Sequence, residues 1–425
     1  MSARWLKPGS HHLEAFQLLF AKSVPRKARR AYTKDATAGL LVGVYTGCVF
    51  PFYLIIARDR LHASAFLISV MVAAPFLGNL FALLWANAME ARPKMPFAVT
   101  SWVVGRSLFL LMVLAVTPLQ FALIVGISQF LVTAAGPAYA AIMKDIYPDE
   151  HRGRIMGYAR ALVALAMIAT TFAIAPLLSG LNYRWVFPVG GLFGIVSALV
   201  FGTIPTSEPT HEERAAKRPT HEFVFSAFAI LRENRGFRWF AASVFTFGFG
   251  NLILTPIYPI FQVDRLHIST SQAAMLANTT SIIWMGSYLY WGRYVDVKSP
   301  LHATVVNVIL TTLIPLNYFL AKNVWMLLPS AVISGITAAG IELAYFNSVL
   351  WFAEEGRASH YQALFSWLLG IRGSIAPFVG AALKQAFEGR GWDFRYIFIW
   401  AVLIMFAGAV MQIFGVRRDR YNQGA

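Results

Sequence analysis

The stretch DRLHAS, residues 59–64, returns almost unchanged 205 residues later as DRLHIS, residues 264–269. A six-residue match can arise by chance in a chain of 425 residues, so the remaining sequence must decide what it means. The ordered set of further matches indicates that the chain contains two copies of one unit. These matches recur at spacings between 201 and 211 residues: AAG at 134–136 and 338–340, Ala-Pro at 175–176 and 376–377, and YRWVF at 183–187 with FRYIF at 394–398.

The composition is that of a membrane protein. Hydrophobic residues make up 57% of the chain and charged residues 13%, with a mean hydropathy of +0.57. Soluble domains contain about 45–50% apolar and about 25% charged residues. We therefore interpret the net charge of +16 as basic residues that mark one face of a lipid bilayer, and we expect no nucleic-acid partner. The single cysteine, Cys48, excludes an intrachain disulfide and a cysteine-based metal cluster, and we expect no cofactor.

Twelve apolar stretches, each close to the ~20 residues that cross a bilayer as a helix, divide the chain. Helices are required because lipid offers no hydrogen-bond partner to free backbone groups. The stretches are continuous rather than alternating, which argues against barrel strands. We number them spans 1 to 12, and they cover residues 36–57, 65–86, 96–117, 120–143, 155–178, 184–205, 237–261, 270–291, 301–321, 324–349, 361–383 and 394–415.

Lys and Arg are distributed unevenly between the two sides of these spans. With helix ends counted in the adjoining loops, the segments on the side of the N-terminus carry 25 of the 36, and the opposite loops carry 8. Basic residues accumulate on the cytoplasmic side, so the split predicts cytoplasmic termini in the plasma membrane. The predicted organisation is a basic N-terminal segment (1–35), a six-span bundle (36–205), a linker with a short interfacial helix (206–235), a second six-span bundle (236–415) and a tail (416–425).

The predicted fold class is therefore an all-α polytopic membrane protein with twelve transmembrane helices in two pseudo-symmetric six-helix bundles. An even number of spans per unit keeps both copies in the same orientation, so an axis along the membrane normal relates them. A central cavity is expected between the two bundles. Such an arrangement can rock to open the cavity to either side of the membrane.

Short motifs in the loops resemble those of the major facilitator superfamily, over essentially the whole chain after residue 35. The family pattern between the second and third helix of a unit is Gly-x-x-x-Asp followed by basic residues. The second copy matches it with Gly292 and Asp296, whereas the first has Ala86 and Glu90 at the two positions. The stretch DEHRGR at 149–154 and the predicted short helix at 222–233 are also similar to family features.

The resemblance implies a gating role for these motifs. Glu90 and Asp296 would hold the cytoplasmic helix ends together in the outward-facing state, with Gly292 in the same motif. An acid at this place can meet a helix N-terminus or a nearby arginine, such as Arg152 or Arg357. The alternative is that these acids are solvated loop charges.

Charged residues inside the spans are costly in lipid, so each needs a reason. Arg372 lies in the middle of span 11 and Glu342 at a similar depth in span 10, which makes an ion pair between them geometrically possible. We predict that Arg372 faces the cavity, the alternative being a purely structural pair. Arg106 is also near mid-span, but the family places span 3 at the periphery, and carbonyls, hydroxyls or water must satisfy it. Arg160 is close enough to one surface to be an interfacial anchor.

Uncharged polar residues within the spans are second-rank candidates for contact with a solute. Each is more commonly a hydrogen bond between helices than a ligand. They are Gln129, Tyr139, Asn251, Asn278 and Asn347. Gly39, Gly43 and Gly47 repeat every four residues on one face of span 1, and we interpret them as a close-packing surface that could also let the bundles slide.

The sequence predicts a secondary transporter for a small organic solute that works by alternating access. Glu342 is the one acid predicted within the spans, so proton coupling through it is one hypothesis; facilitated diffusion or another ion is the other. Two arginines at membrane depth favour an amphipathic or anionic solute. We expect a monomer in the lipid bilayer, with the small-molecule substrate and the proton as its other partners.

Two other classes of protein compete with this interpretation. A membrane enzyme would need clustered nucleophiles, bases or metal ligands, and neither His-Glu-x-x-His nor Gly-x-Ser-x-Gly occurs. We therefore predict that the protein is not an enzyme. The remaining alternative is a non-transporting sensor or assembly factor that kept the fold, which the degenerate first motif and the basic N-terminal segment favour.

Overall fold

The computed structural model describes residues 24–81, 85, 93–148, 152–180, 183–206, 228–353 and 358–423. Within these ranges the chain is helical with short connections. The α-helices are Arg26–Val49, Tyr53–Asp59, Ala65–Leu80, Lys94–Ser107, Pro118–Thr133, Gly136–Ile146, Arg152–Gly180, Tyr183–Gly202, Arg235–Ile253, Ile257–Asp264, Thr270–Val297, Pro300–Leu320, Leu328–Phe352, Ala358–Glu388 and Tyr396–Gln423, with 3-10 helices at Leu108–Leu114 and Val324–Leu327.

These helices correspond to the twelve predicted spans. Ten continuous helical segments in the described part of the chain are long and apolar enough to cross a membrane. The other two are the apolar helix of span 2, Ala65–Leu80, which is described over 16 residues, and the helix of span 8, Thr270–Val297, which is longer but more polar. The all-helical membrane fold predicted from the sequence is confirmed. We call the side on which the described chain begins, near Arg26, the terminal side, and the opposite one the far side.

The repeated stretch, residues 59–64 and 264–269, forms the same turn twice. His62 and His267 adopt left-handed backbone angles, with φ of 50° and 48°, and end the preceding helices. The next serine in each copy, Ser64 and Ser269, accepts a hydrogen bond from a backbone N–H in the first turn of the following helix, at 3.3 and 3.2 Å. The motif is therefore a helix stop followed by a helix cap, present once in each half.

Spans 1 and 7 are also broken at equivalent places. Span 1 stops at Val49 and resumes at Tyr53, and span 7 stops at Ile253 and resumes at Ile257. The two gaps contain Pro51 and Pro256, which are 205 residues apart. Proline lacks the N–H that would continue the helical ladder, and broken helices at membrane depth occur where the backbone is enclosed by protein. The shared break supports the duplication inferred from the sequence.

The glycine stripe of span 1 is a packing surface against span 5. A Cβ atom at Gly43 would lie 2.6 Å from the carbonyl oxygen of Val163 and 2.6 Å from the Cβ of Ala166. At Gly47 it would lie 2.6 Å from the carbonyl oxygen of Met167. Because glycine has no side chain there, the two backbones approach closely. The predicted packing role is confirmed; spans 1 and 5 belong to the same half, so the contact offers no sliding surface between halves.

Gly43→Ala should lower the free energy of unfolding by about 1–3 kcal/mol, the usual cost of overpacking. The new methyl group would press on the backbone of span 5, which cannot turn aside as a flexible side chain can. Gly286→Ala is the matched control, because a Cβ there meets nothing within 4 Å, and it should be neutral or slightly stabilising. Thermal unfolding of the two purified variants compares them directly, and equal stability would contradict the close packing.

Two predicted segments fall largely outside the described residues. The sequence also indicates a short interfacial helix at residues 10–20, which lie before the first described residue. Most of the 206–235 linker lies between the ranges that the structure describes. Residues 228–233 are described and are helical, directly before span 7. This helix agrees with the second half of the short helix predicted at 222–233.

Candidate functional site

The two halves of the chain meet along helix pairs that cross between them. Span 2 packs against span 11, span 5 against span 8, and the far ends of spans 1 and 7 lie together. Ser69 donates a hydrogen bond of 2.8 Å to the carbonyl oxygen of Pro377 across this seam. A Cβ at Gly373 would come within 2.1 Å of the ring of Phe76, so a glycine is needed for span 2 to approach. The seam is closely packed where spans 2 and 11 cross.

An ion pair joins the halves on the far side. Arg58 of the first half donates from Nε to Oδ1 of Asp264 at 2.7 Å, and its Nη2 binds the other oxygen of the same carboxylate. The pair is two-pronged, the geometry in which arginine binds carboxylate most strongly. Its symmetry mate does not exist, because the counterpart of Arg58 in the second copy is Val263. Both side chains are mostly buried, at 22% and 25% exposure.

A second ion pair joins the halves nearer the terminal side. Arg160 of span 5 donates from Nη1 to Oε1 of Glu342 in span 10 at 2.7 Å, and the Tyr288 hydroxyl of span 8 donates to Oε2. The exposed fractions of Arg160 and Glu342 are 51% and 46%, so small molecules and protons can reach the pair. Glu342 belongs to an exposed stripe of span 10 with four-residue spacing, which also contains Ala338, Phe346 and Leu350.

The predicted pair between Glu342 and Arg372 is wrong. Arg372 is buried at 9% exposure and donates from Nη1 to the carbonyl oxygen of Val244 in span 7. Its guanidinium lies against Gly248, where a Cβ would fall 1.8 Å from Nη1. The two residues share a depth but lie on faces turned to different neighbours. Arg372 also does not face the space between the halves, contrary to the prediction from the sequence.

The place of Arg372 has a counterpart in the first half. Gly43 and Gly248 are 205 residues apart, as are Met167 and Arg372. Met167 meets the glycine stripe of span 1 with its backbone, whereas Arg372 places its guanidinium against Gly248 of span 7. The equivalent position of the first half carries no charge, and Arg372 makes its contacts with span 7, which points to a packing role for the arginine within its own half.

Arg372→Met should leave stability within about 1 kcal/mol of the wild type or raise it, because replacing a buried charge by an apolar group of similar length is commonly neutral or stabilising. Arg372→Ala should cost about 2–5 kcal/mol, because it leaves a void under Gly248. Thermal unfolding and solute flux of both variants provide the measurements. Loss of flux in a stable Arg372→Met protein would contradict the packing role and indicate that Arg372 contacts the solute.

Arg106 likewise makes its contacts inside one half. Its Nη1 donates to the carbonyl oxygen of Gly194 at 2.7 Å, and its guanidinium lies over the rings of Trp102 and Tyr45 at 5.2 and 5.6 Å. At 6% exposure it joins spans 1, 3 and 6. The expectation that a carbonyl group would bind this arginine is confirmed for Nη1, while its Nε has no hydrogen-bond partner within the described residues. Arg160, interpreted from the sequence as an interfacial anchor, instead pairs across the halves, so that interpretation is wrong.

The uncharged candidates fall into different surroundings. Tyr139 packs against Trp102 and Phe201 with ring centroids 5.9 Å away from each, and Asn347 donates to its own helix at the carbonyl oxygen of Leu343. Asn278 is buried at 2% exposure, and its Nδ2 has no hydrogen-bond partner within the described residues. Gln129 and Asn251 are half-buried, the latter just before the break in span 7. The structure does not bring these five together.

The gating candidates are described only in part. Glu90 and Arg357 lie outside the described residues, and for Arg152 and Asp296 the structure describes the backbone alone. Arg152 begins the helix of span 5, and Asp296 lies in the last turn of span 8. A Cβ at Gly292 would meet nothing within 4 Å, so close packing does not explain the glycine there.

One buried acid was missed from the sequence. Asp35 is 6% exposed and accepts a hydrogen bond of 2.6 Å from the Tyr147 hydroxyl. Burial and this neighbouring carboxylate raise the pKa of Tyr147, which therefore stays protonated and able to donate. The boundary of span 1 at residue 36 put Asp35 in the tail, whereas the apolar segment begins at Ala28. Glu342 is thus not the sole acid within the spans.

The geometry defines a class of protein before any comparison is made. It is a multi-pass membrane protein with two repeated six-span halves, joined by one ion pair on the far side and another nearer the terminal side. Among the residues that the structure describes, no group of three or more His, Cys, Asp or Glu side chains could hold a metal ion.

The family model of the Major Facilitator Superfamily matches residues 36–340, and the chain belongs to that superfamily. A comparison with curated proteins finds no match. A solved structure of a mutant of the nucleoside transporter NupG is similar, with 13% identity, a TM-score of 0.74, and coverage of 91% of this chain and 99% of that one. An inward-facing bacterial homologue of the human lysosomal transporter Spinster is 16% identical, with a TM-score of 0.69 and coverage of 92% and 97%. At these identities the likeness shows the fold.

Proposed function

We propose that this chain is a secondary transporter that moves a small organic solute by alternating access and couples the movement to a proton carried by Glu342. Membership of a transporter superfamily supports the general class. The observation that carries the specific proposal is the ion pair of Glu342 with Arg160, because its two members come from different halves. A change in the charge of Glu342 therefore alters the attraction between the two halves directly.

The coupling follows from elementary electrostatics. Ionised Glu342 attracts Arg160 and accepts the Tyr288 hydroxyl, so spans 5, 8 and 10 are held at one point. A proton on Glu342 removes the negative charge and the Coulomb attraction with it. Arg160 is then left with a neutral partner in a half-exposed place, where water or an incoming solute can replace the carboxyl. Protonation thus loosens the seam between the halves.

The far-side pair completes the cycle. Arg58 and Asp264 tie the ends of spans 1 and 7, so the cavity is closed on the far side while this pair is intact. Opening to the far side requires that the pair breaks, and opening to the terminal side allows it to persist. The two pairs lie at different depths, so a rocking motion can exchange one contact for the other.

The structure removes the argument from the sequence for an anionic or amphipathic solute. The sequence favoured an anionic or amphipathic solute because Arg106 and Arg372 seemed to make the interior positive. Both arginines bind backbone carbonyl groups within single halves, and Arg160 is neutralised by Glu342. NupG is a nucleoside transporter, so neutral nucleosides belong in the first panel of solutes together with organic anions and cations.

Reconstitution in liposomes tests the proposal. We place the protein in the plasma membrane as a monomer with cytoplasmic termini, and in liposomes an imposed pH gradient substitutes for the cellular one. Accumulation of a labelled solute that collapses when a protonophore dissipates the gradient is the expected result. Equal, gradient-independent flux would refute coupling, and binding of a solute without any flux would favour the non-transporting sensor.

A further inference from the structure

The repeated DRLH stretch brings one histidine from each half to the same place on the far side. His62 and His267 each follow the helix that ends span 1 or span 7, and these two helices lie against each other across the seam. Both histidines are exposed and line one open pocket of 330 Å³, together with Arg58, Asp59 and Asp264. The far-side ion pair therefore shares its pocket with two imidazole groups, one from each half.

The same backbone geometry holds both histidines in place. The residue after each one donates its N–H back to the preceding helix, from Ala63 to the carbonyl oxygen of Ala57 at 2.8 Å and from Ile268 to that of Gln262 at 3.1 Å. These bonds close a left-handed helix stop of the same kind in each half. In the first half, Arg58 also donates from Nη1 to the carbonyl oxygen of Ala63 at 2.9 Å. The first histidine turn is thus attached to the arginine that closes the far side.

The permanent charges of the pocket already have partners. Arg58 holds the carboxylate of Asp264 with two bonds, and Asp59 pairs with Arg60 at 3.2 Å. Two acids and two arginines sum to no net charge. The pocket is therefore electrically balanced when both histidines are neutral.

The neighbouring elements offer no spare acid to a protonated histidine. They contribute the charged residues Arg184, Arg265, Lys384, Glu388, Asp393 and Arg395. Both acids among these are already paired, Asp393 with Arg265 at 3.0 Å and Glu388 with Lys384 at 2.5 Å. Arg184 and Arg395 add further positive charge. In the part of the chain that the structure describes, every acid on the far side is thus bound to a cation of its own.

Protonation of the two histidines would unbalance this arrangement. Histidine is the side chain that changes its charge between about pH 8 and about pH 5. Two imidazolium groups would place one positive charge on each side of the seam, and like charges repel. Each would also compete with Arg58 for the carboxylate of Asp264. Both effects favour the state in which the far ends of spans 1 and 7 are apart, so a falling pH weakens the closure.

We propose that His62 and His267 form a proton-operated release of the far-side closure, which opens when the medium on the far side becomes acidic. Repulsion between the halves requires a charge on each of them, and the duplicated motif supplies one histidine to each. The inference rests on the proposed alternating access, because it concerns a contact that must break in every cycle. It adds a second response to protons, on the far side, to the one proposed for Glu342.

Distances between two spin labels measure the far-side opening directly. Cysteines replace Trp185 of the first half and Trp392 of the second in a Cys48→Ala background, and both carry labels. Both tryptophans are exposed, at 64% and 58%, and neither lines the pocket. With the protein in lipid nanodiscs, we expect the population with the longer distance to grow about fivefold or more between about pH 7.5 and about pH 5.

Variants of the two histidines assign the response to the pocket. His62→Asn and His267→Asn cannot gain a proton in this range, and asparagine tolerates the left-handed backbone well. Each single variant should lose most of the response, so one that fails to fold leaves the other as a test. His62→Arg combined with His267→Arg fixes both charges and should hold the longer distance at about pH 7.5. His302→Asn, in the first turn of span 9 on the terminal side, is the matched control and should respond like the wild type.

Two results would overturn the histidine release while leaving alternating access intact. One is a pH response of full size in the protein that carries both asparagine variants. The other is a shorter distance at low pH, because the imidazolium groups would then bind carboxylates of the opposite half and tighten the closure. A distance that changes with added solute but not with pH would likewise exclude only the histidines. A distance that no pH, solute or variant changes would refute the release and the proposed transport function together.

Discussion

Glu342→Gln should abolish accumulation driven by a proton gradient, by about tenfold or more, while the protein still inserts and exchanges solute across the membrane. Glutamine has nearly the shape of the glutamate side chain and can still accept from Tyr288, so the packing of spans 5, 8 and 10 is preserved. It cannot bind and release a proton. Accumulation against a gradient and counterflow without a gradient, measured in the same liposomes, separate the two effects.

The matched control is Glu388→Gln in span 11. Glu388 is 49% exposed, close to the 46% of Glu342, and pairs with Lys384 at 2.5 Å. That pair lies within a single helix, so its loss leaves the contact between halves unchanged. We expect accumulation in this variant to remain at the wild-type level, which would show that the loss in Glu342→Gln is specific to the cross-half pair.

Arg160→Gln distinguishes whether Glu342 carries a proton or only forms a structural contact between the halves. It breaks the same ion pair but retains the carboxyl group of Glu342. If the pair only holds the halves together, Arg160→Gln and Glu342→Gln should fail in the same way. If Glu342 carries the proton, Arg160→Gln should keep flux that responds to pH, though its pH dependence should move. Full pH-driven accumulation in Glu342→Gln would remove Glu342 from the coupling scheme altogether.

The fold could be predicted because its main features depend on local stretches of the sequence. Span lengths follow from the thickness of a bilayer, and the DRLHAS and DRLHIS stretches encode a helix stop and a helix cap in each half. The breaks at Pro51 and Pro256 are likewise local, because a proline that interrupts the helical ladder lies in each of them. Features that depend only on residues close together in the chain can therefore be predicted from the sequence.

The charged contacts could not be predicted, because they depend on how each helix is rotated about its axis. Counting residues from the ends of a span gives depth, and Glu342 and Arg372 do share a depth. Successive residues of a helix turn by about 100°, so depth alone leaves the facing neighbour undetermined. Glu342 meets Arg160 of the other half, and Arg372 meets the carbonyl group of Val244. Each contact depends on packing between distant segments.

A cavity on the far side could not be predicted from the sequence for a related reason. The cavity has a volume of 240 Å³ and lies between spans 1, 7, 8, 9 and 10, so only the packing of these distant segments encloses it. Charged residues within spans stand out in a sequence because they are rare in lipid. Hydroxyl and amide groups are common there and usually bond their own helix, as Asn347 does, so they carry little signal on their own.

Cross-linking the far ends of spans 1 and 7 should stop transport. In a Cys48→Ala background, cysteines at positions 58 and 264 replace the two members of the far-side ion pair, and a short reducible bis-thiol reagent joins them. Cys48 is the single native cysteine and is buried, so the background is clean. We expect flux to fall about tenfold or more and to return on reduction, because the far side must open in each cycle.

The chain provides a matched control for this experiment. Arg265 and Asp393 also form an ion pair on the far side, at 3.0 Å, but both belong to the second half. A cross-link between cysteines at these positions uses the same residue types and reagent without tying the halves together, and flux should continue. Undiminished flux through protein fully cross-linked at 58 and 264 would mean that the far ends do not separate, and alternating access between the two halves would have to be abandoned. Equal inhibition by both cross-links would mean that the second half itself deforms during transport, so its helices would not move as one body.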